Sequence, residues 1–149
     1  MSATLPAATI EQLHGWPAEW GKTDTGFGMR TASLFGQFVI GNAIEDGVKA
    51  IHPQNTMYHR LGEGNFFKRF GHVAARTVVA GKPGGGYEPA YSRLANAYGS
   101  WAIATLWSPD EYRTAGSIAK WGTAGVGAMA ISNLAREFWP DLKHLFHKK

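Results

Sequence analysis

Cysteine is absent from the 149 residues. That excludes disulfides, thiolate zinc sites, iron–sulfur clusters, cysteine nucleophiles and c-type haem attachment. Charge is scarce: Asp, Glu, Lys and Arg make up 17% of the chain, below the usual quarter. The 15 Lys+Arg against 11 Asp+Glu leave a net charge of +4, too mild to argue for nucleic acid as a partner. Long apolar runs are missing as well. A membrane-crossing helix needs about 20 predominantly apolar residues. Residues 94–109, 121–135 and 32–44 are uncharged, but they hold only 16, 15 and 13 residues. A soluble or peripheral helical core is preferred over membrane insertion. The N-terminus has neither the basic start nor the apolar stretch of a signal peptide, and residues 1–13 read as a flexible leader.

Catalytic motifs are missing too. There is no HExxH and no GxSxG, and Lys82 in the run 81–86 is not followed by the Ser/Thr of a phosphate-binding loop. Glu45 and Asp46 are neighbours in sequence, so a helix points them about 100° apart and they form no acid/base pair. His14, His52, His59, His72, His144 and His147 show no zinc or iron spacing. Asp141, His144 and His147 could share a face, but a solvated basic tail is the simpler reading. No metal or cofactor is implied, and a metal-dependent hydrolase is only a minor alternative.

What the chain has is small residues and aromatics. Glycine (19) and alanine (21) together supply 40 of 149 positions. The pattern predicts an all-α fold of about four Gly/Ala-rich helices in a single domain over residues 14–149. A Trp/Gly-rich loop over 14–31 lies across them. The first helix starts at residue 31 or 33 and runs to 51, where His52-Pro53 stops it. The second covers 66–80, with Phe67, Phe70, Val73 and Val78 turned to the core and the Lys/Arg side exposed. The glycine run 81–86 breaks the chain. The third helix covers 89–107. Ser108, Pro109 and Glu111 resemble a capping box that opens the fourth. In that helix Gly116, Ala119, Gly122, Gly125 and Ala128 fall about three apart. Interior glycine costs about 1 kcal/mol against alanine, so close packing must compensate. Pro140 should end or kink this helix at Trp139. Leu142, Leu145 and Phe146 should then dock with Phe138 as a structural clasp; a buried Trp139 would make it part of the core, an exposed one part of a partner-binding surface.

Several short patterns recur together: Pro17, Glu19, Trp20 and Gly21; Gly26, Phe27, Gly28 and Arg30; Tyr58, His59, Arg60, Leu61 and Gly62 ahead of Phe67 and Arg69; 89–92; Ser132-Asn133; and 137–143, Glu-Phe-Trp-Pro-Asp-Leu-Lys. Over residues 15–147 the chain resembles a family of small uncharacterised bacterial proteins common in Acidobacteria. The closing motif is the most specific part. The chain reads Asn55-Thr56-Met57-Tyr58-His59-Arg60 where that family tends to have D-P-R-Y-F-R. The resemblance implies export to the cell envelope, periplasmic or membrane-associated. It implies no activity and no catalytic residues.

The leading expectation is a non-enzymatic, envelope-associated structural or interaction protein, with membrane lipid or an envelope protein as partner. The alternative is a binding module for a lipid or other small hydrophobic ligand, its pocket lined by Trp16, Trp20, Phe27, Tyr98, Trp101 and Trp107.

Overall fold

The computed structural model describes residues 4–146. Among them are five α-helices: α1 (Thr4–His14), α2 (Asp24–Ile51), α3 (Phe66–Val78), α4 (Tyr91–Ala104) and α5 (Ala115–Phe146). An antiparallel hairpin of β1 (Val79–Gly81) and β2 (Tyr87–Pro89) joins α3 to α4. The fold is all-α apart from this hairpin, with five helices rather than four. The glycine break at 81–86 is the hairpin's turn, where Gly85 and Gly86 take positive φ.

Side chains set the helix starts. Thr23 accepts the Gly26 N–H at the head of α2, and Asn65 accepts the Lys68 N–H at the head of α3. Thr114 accepts the Ser117 N–H at the head of α5. The capping box expected at 108–111 does not start that helix. The Ser108 hydroxyl instead donates to the Ala104 carbonyl at the end of α4, and 110–112 form a separate 3₁₀ turn.

Three boundaries differ from the sequence reading. Residues 4–13 of the expected flexible leader form α1 together with His14, and Ala8 is fully buried. The loop expected over 14–31 ends at Thr23, because α2 starts at Asp24. Gly26 belongs to its first turn, where a Cβ would collide with the Trp20 carbonyl oxygen and sit 2.7 Å from that of Gly21. Alanine normally gains about 1 kcal/mol over glycine inside a helix. Here Gly26→Ala is expected to lose about 1–3 kcal/mol, read as a lowered melting temperature. Third, α5 continues through Pro140. Proline removes one helical donor and crowds that turn. The next carbonyl, that of Glu137, receives Arg60 Nε at 2.9 Å and Arg69 Nη2 at 2.6 Å from outside the helix.

The helices pack pairwise as a row in the order α1, α2, α4, α5, α3. Small residues let them approach. The Gly122 Cα lies under the Tyr98 ring, Gly125 faces Ala97 and Gly41 faces Asn96 and Ser100. The described buried apolar side chains are accordingly small: five alanines with Val73 and Tyr58. A row leaves two faces of each helix open. The accessible surface is 9366 Å². A compact monomer of this mass exposes roughly 7,500 Å².

Helix α3 buries Val73 as expected, but Phe67, Phe70 and Val78 are exposed and Arg69, expected outside, is buried. Arg69, Val73 and Thr77 point inward, while Phe66, Phe67 and Phe70 are 58%, 81% and 47% exposed. Arg69 is drawn inward by the buried carboxylate of Glu137 on α5, 2.7 Å away. The two aromatic residues just before Pro140 also separate. Phe138 lies beneath the Arg69 guanidinium at 4.3 Å, but Trp139 is 65% exposed. The docking expected of Leu142, Leu145 and Phe146 rests on side chains that are not described.

Candidate functional site

Between residues 31 and 44 helix α2 carries no charged residue. Along it Met29, Phe35, Phe38 and Val39 are exposed to solvent. After α4, Trp107 folds back onto this helix. Its indole Nε1 donates to Ser33 Oγ at 2.9 Å, and its ring edge lies 3.8 Å from where a Cβ of Gly36 would stand. Trp20, from the loop ahead of α2, forms the opposite wall. The result is an open groove of about 560 Å³ lined by Trp20, Met29, Ala32, Gly36, Ile40 and Trp107. Its floor is a glycine and an alanine, so the two indoles rather than the helix give it depth.

Trp20 and Trp107 are thus together in one groove. Trp16 and Trp101 stand elsewhere, around Trp121 of α5, at centroid distances of 4.5 and 5.5 Å. Tyr112 meets Trp16 edge-on at 5.3 Å. Trp121 carried no sequence signal for this role, since only the pairing of α4 with α5 brings it there. Tyr98 packs across Gly122 and shares a hydrogen bond with Thr123 at 3.0 Å. Phe27 lines neither the groove nor the indole cluster. Between groove and cluster is a cavity of about 10 Å³ that includes Glu11. Burial pushes the Glu11 carboxyl up to about 7, with the Arg30 charge acting the other way.

Two buried charges hold the scaffold of this site. Arg30 is fully buried on α2. Its Nε donates to the Trp16 carbonyl at 2.7 Å, its Nη2 to that of Pro17 at 2.9 Å, and its Nη1 to that of Gly21 and to Gln12 Oε1. One guanidinium therefore fixes the loop that carries Trp20. Glu137 is fully buried on α5. Its Oε1 accepts from Arg69 Nε and the Gly62 N–H, and its Oε2 accepts from Tyr58 OH and the Leu61 N–H. Burial opposes its charge, yet these donors outweigh burial and hold the carboxyl down at about 2. Burial and the bond to Glu137 push the Tyr58 hydroxyl up. Asp141 pairs with Arg60 at 2.9 Å and with Arg69 at 2.5 Å. Every Glu137 oxygen is committed and none reaches solvent, so this carboxylate is an anchor and not an acid or a base. The patterns around 17–30, 58–69 and 137–141 supply these anchors and the backbone they hold, whereas 89–92 bonds to Gln54 and Asn133 to Thr77.

Among the described residues no group of three or more His, Asp or Glu side chains is placed to hold a metal ion. His147, from the expected Asp141/His144/His147 set, lies outside the described residues, and so does the side chain of His144. No described helix is long and apolar enough to cross a membrane. Comparison of the chain with protein-family models, curated proteins and solved structures finds no match.

Proposed function

We propose that this chain is a non-enzymatic, peripheral structural or interaction protein of the cell envelope. Outward-turned apolar side chains hold it against a membrane surface. The observation that carries the reading is the placement of large against small apolar residues. Alanines fill the interior, while Phe35, Phe38, Phe66, Phe67, Phe70 and Trp139 are 44% to 81% exposed. Extended apolar patches mark surfaces that are covered in the working state. Helix α3 mixes its outward phenylalanines with Lys68 and has no acidic residue, a composition suited to an anionic interface. The resemblance to exported bacterial proteins supports the envelope as the setting.

Fractionation of the native protein tests this. Retention with membranes after gentle lysis at low salt, with release by detergent, is the expected result. A monomer that stays in the soluble fraction without detergent overturns it. Trp139→Ala gives a second check. It is expected to leave stability within about 0.5 kcal/mol of the parent, as for an exposed side chain, and to weaken vesicle binding. A large loss of stability would place the indole in the core.

The groove on α2 favours a second reading, capture of a small hydrophobic ligand. Its volume of about 560 Å³ lies within the usual range of ligand sites. Native mass spectrometry is expected to show a retained apolar ligand that is lost in Gly36→Leu. A Cβ at Gly36 meets Trp107 at ordinary contact distance, and leucine there fills the floor without a backbone clash.

A further inference from the structure

Because α4 separates α2 from α5, a polar trough of about 220 Å³ opens where the three helices meet. It is lined by Glu45 of α2, Arg93 of α4, and Met129, Ser132, Asn133 and Arg136 of α5. Its charges are unevenly matched. Glu45 is fully committed, to Lys49 at 2.6 Å, to Thr56 and to Asn96 at 2.9 Å. Burial works against its charge, but these bonds hold its carboxyl below the ordinary range.

Arg93 is half-buried and fixed. Its Nη1 donates to the Arg76 carbonyl at 2.7 Å, and its Nη2 to the Thr56 carbonyl. Burial lowers its pKa, Glu45 opposes this, and the charges of Arg76 and Arg136 add to the lowering. Arg76 keeps a buried Nη1 with no hydrogen-bond partner. Arg136 is exposed at the rim and makes no hydrogen bond, ion pair or ring contact among the described residues. Two guanidinium groups, those of Arg93 and Arg136, thus line the trough with one carboxylate that Lys49 already neutralises, and the charge of Arg76 also reaches Arg93. Ser132 adds a hydroxyl with no partner among the described residues. The Asn133 amide donates to Thr77 Oγ1 at 3.2 Å and retains a second proton.

We propose that this trough binds the phosphate group of an anionic ligand, with Arg136 and Arg93 as charged donors and Ser132 and Asn133 as neutral ones. Guanidinium groups present paired donors that match phosphate oxygens. Arg136 also borders a second, apolar hollow of about 380 Å³ formed with Ala135, Trp139 and Pro140. A phosphate in the trough therefore has an apolar surface beside it, which suits a ligand that carries an alkyl chain. The phosphate can belong to a bilayer lipid or to a free ester. The trough itself stands apart from the membrane-surface reading, which bears only on that choice.

The test uses the full chain, two probes and two variants. Arg136→Gln removes the rim charge, and Lys82→Gln removes an equal charge from the hairpin turn. Unchanged melting temperatures establish that both variants fold. The first probe is vesicles of phosphatidylcholine with and without phosphatidylglycerol, read by co-sedimentation. If a lipid supplies the phosphate, binding rises with phosphatidylglycerol and falls about fivefold in Arg136→Gln but not in Lys82→Gln. The second probe is inorganic phosphate, read by amide chemical shifts. If a free ester supplies it, the amides of Ser132, Asn133 and Arg136 shift on titration in the parent and not in Arg136→Gln. This response without vesicle binding retains the trough and removes the membrane reading. Vesicle binding indifferent to phosphatidylglycerol and to Arg136, with no phosphate response, retains the membrane reading and overturns the trough. Equal losses in both variants reflect diffuse charge attraction and also overturn it.

Discussion

Glu137→Ala is expected to lose about 3–5 kcal/mol of stability, a large share of what a domain of this size holds. The substitution leaves the Arg69 guanidinium buried with Asp141 as its one carboxylate partner. It also strips Tyr58 OH and the Leu61 and Gly62 N–H groups of their acceptor. Urea unfolding reads the loss as a lowered midpoint at unchanged slope. Acid should act through the same group. Its carboxyl is held at about 2 in the folded chain against an ordinary 4.5. A depressed folded pKa means the stabilisation is complete above about 4.5 and disappears as pH falls toward 2. Glu137→Gln should flatten that part of the profile. A parent protein whose stability is constant across that window would show that the carboxylate is not the anchor described.

The second large effect is expected at Arg30. Arg30→Met keeps the length and apolar stem but leaves the Trp16, Pro17 and Gly21 carbonyls and Gln12 Oε1 without their donor. Unmade buried bonds cost about 1–3 kcal/mol each. The segment ahead of α2 should detach, and its amides should lose protection in hydrogen exchange. The α2 groove should lose its Trp20 wall at the same time. Limited proteolysis reads this as new cleavage between residues 15 and 23. An Arg30→Met protein as resistant as the parent would show that the loop holds itself.

Local chemistry made much of this fold legible. Pro53 ends α2, the glycines at 81–86 make a turn, and apolar periodicity marks three of the helices. What was not legible depended on distant partners. Arg69 turns inward and the phenylalanines outward because Glu137 lies 68 residues away in sequence but 2.7 Å away in space. Gly26 and Gly28 resemble loop residues, yet both lie in α2, and position 26 is glycine because the Trp20 carbonyl leaves no room for a Cβ there. The same holds for the candidate site. Trp20 and Trp107 meet only because Arg30 holds one loop and Ser33 accepts from the other indole. The weight placed on Trp139 belonged to its neighbour Glu137, whose charge gave no sign of complete burial.

A row of helices has ends, and the ends open first. In a quasi-linear array the local opening energy of each element follows the number of its neighbours. Helix α4, flanked by α2 and α5, is expected to keep its amide protons longest. Helix α1 meets α2 principally, and it should exchange well before the rest. Helix α3 occupies the other end of the row but is tied to α5 by two ion pairs from Arg69, so it should outlast α1. The molecule then sheds its amino-terminal end as a separate, low-energy event, while the pairing of α4 with α5 persists beneath it.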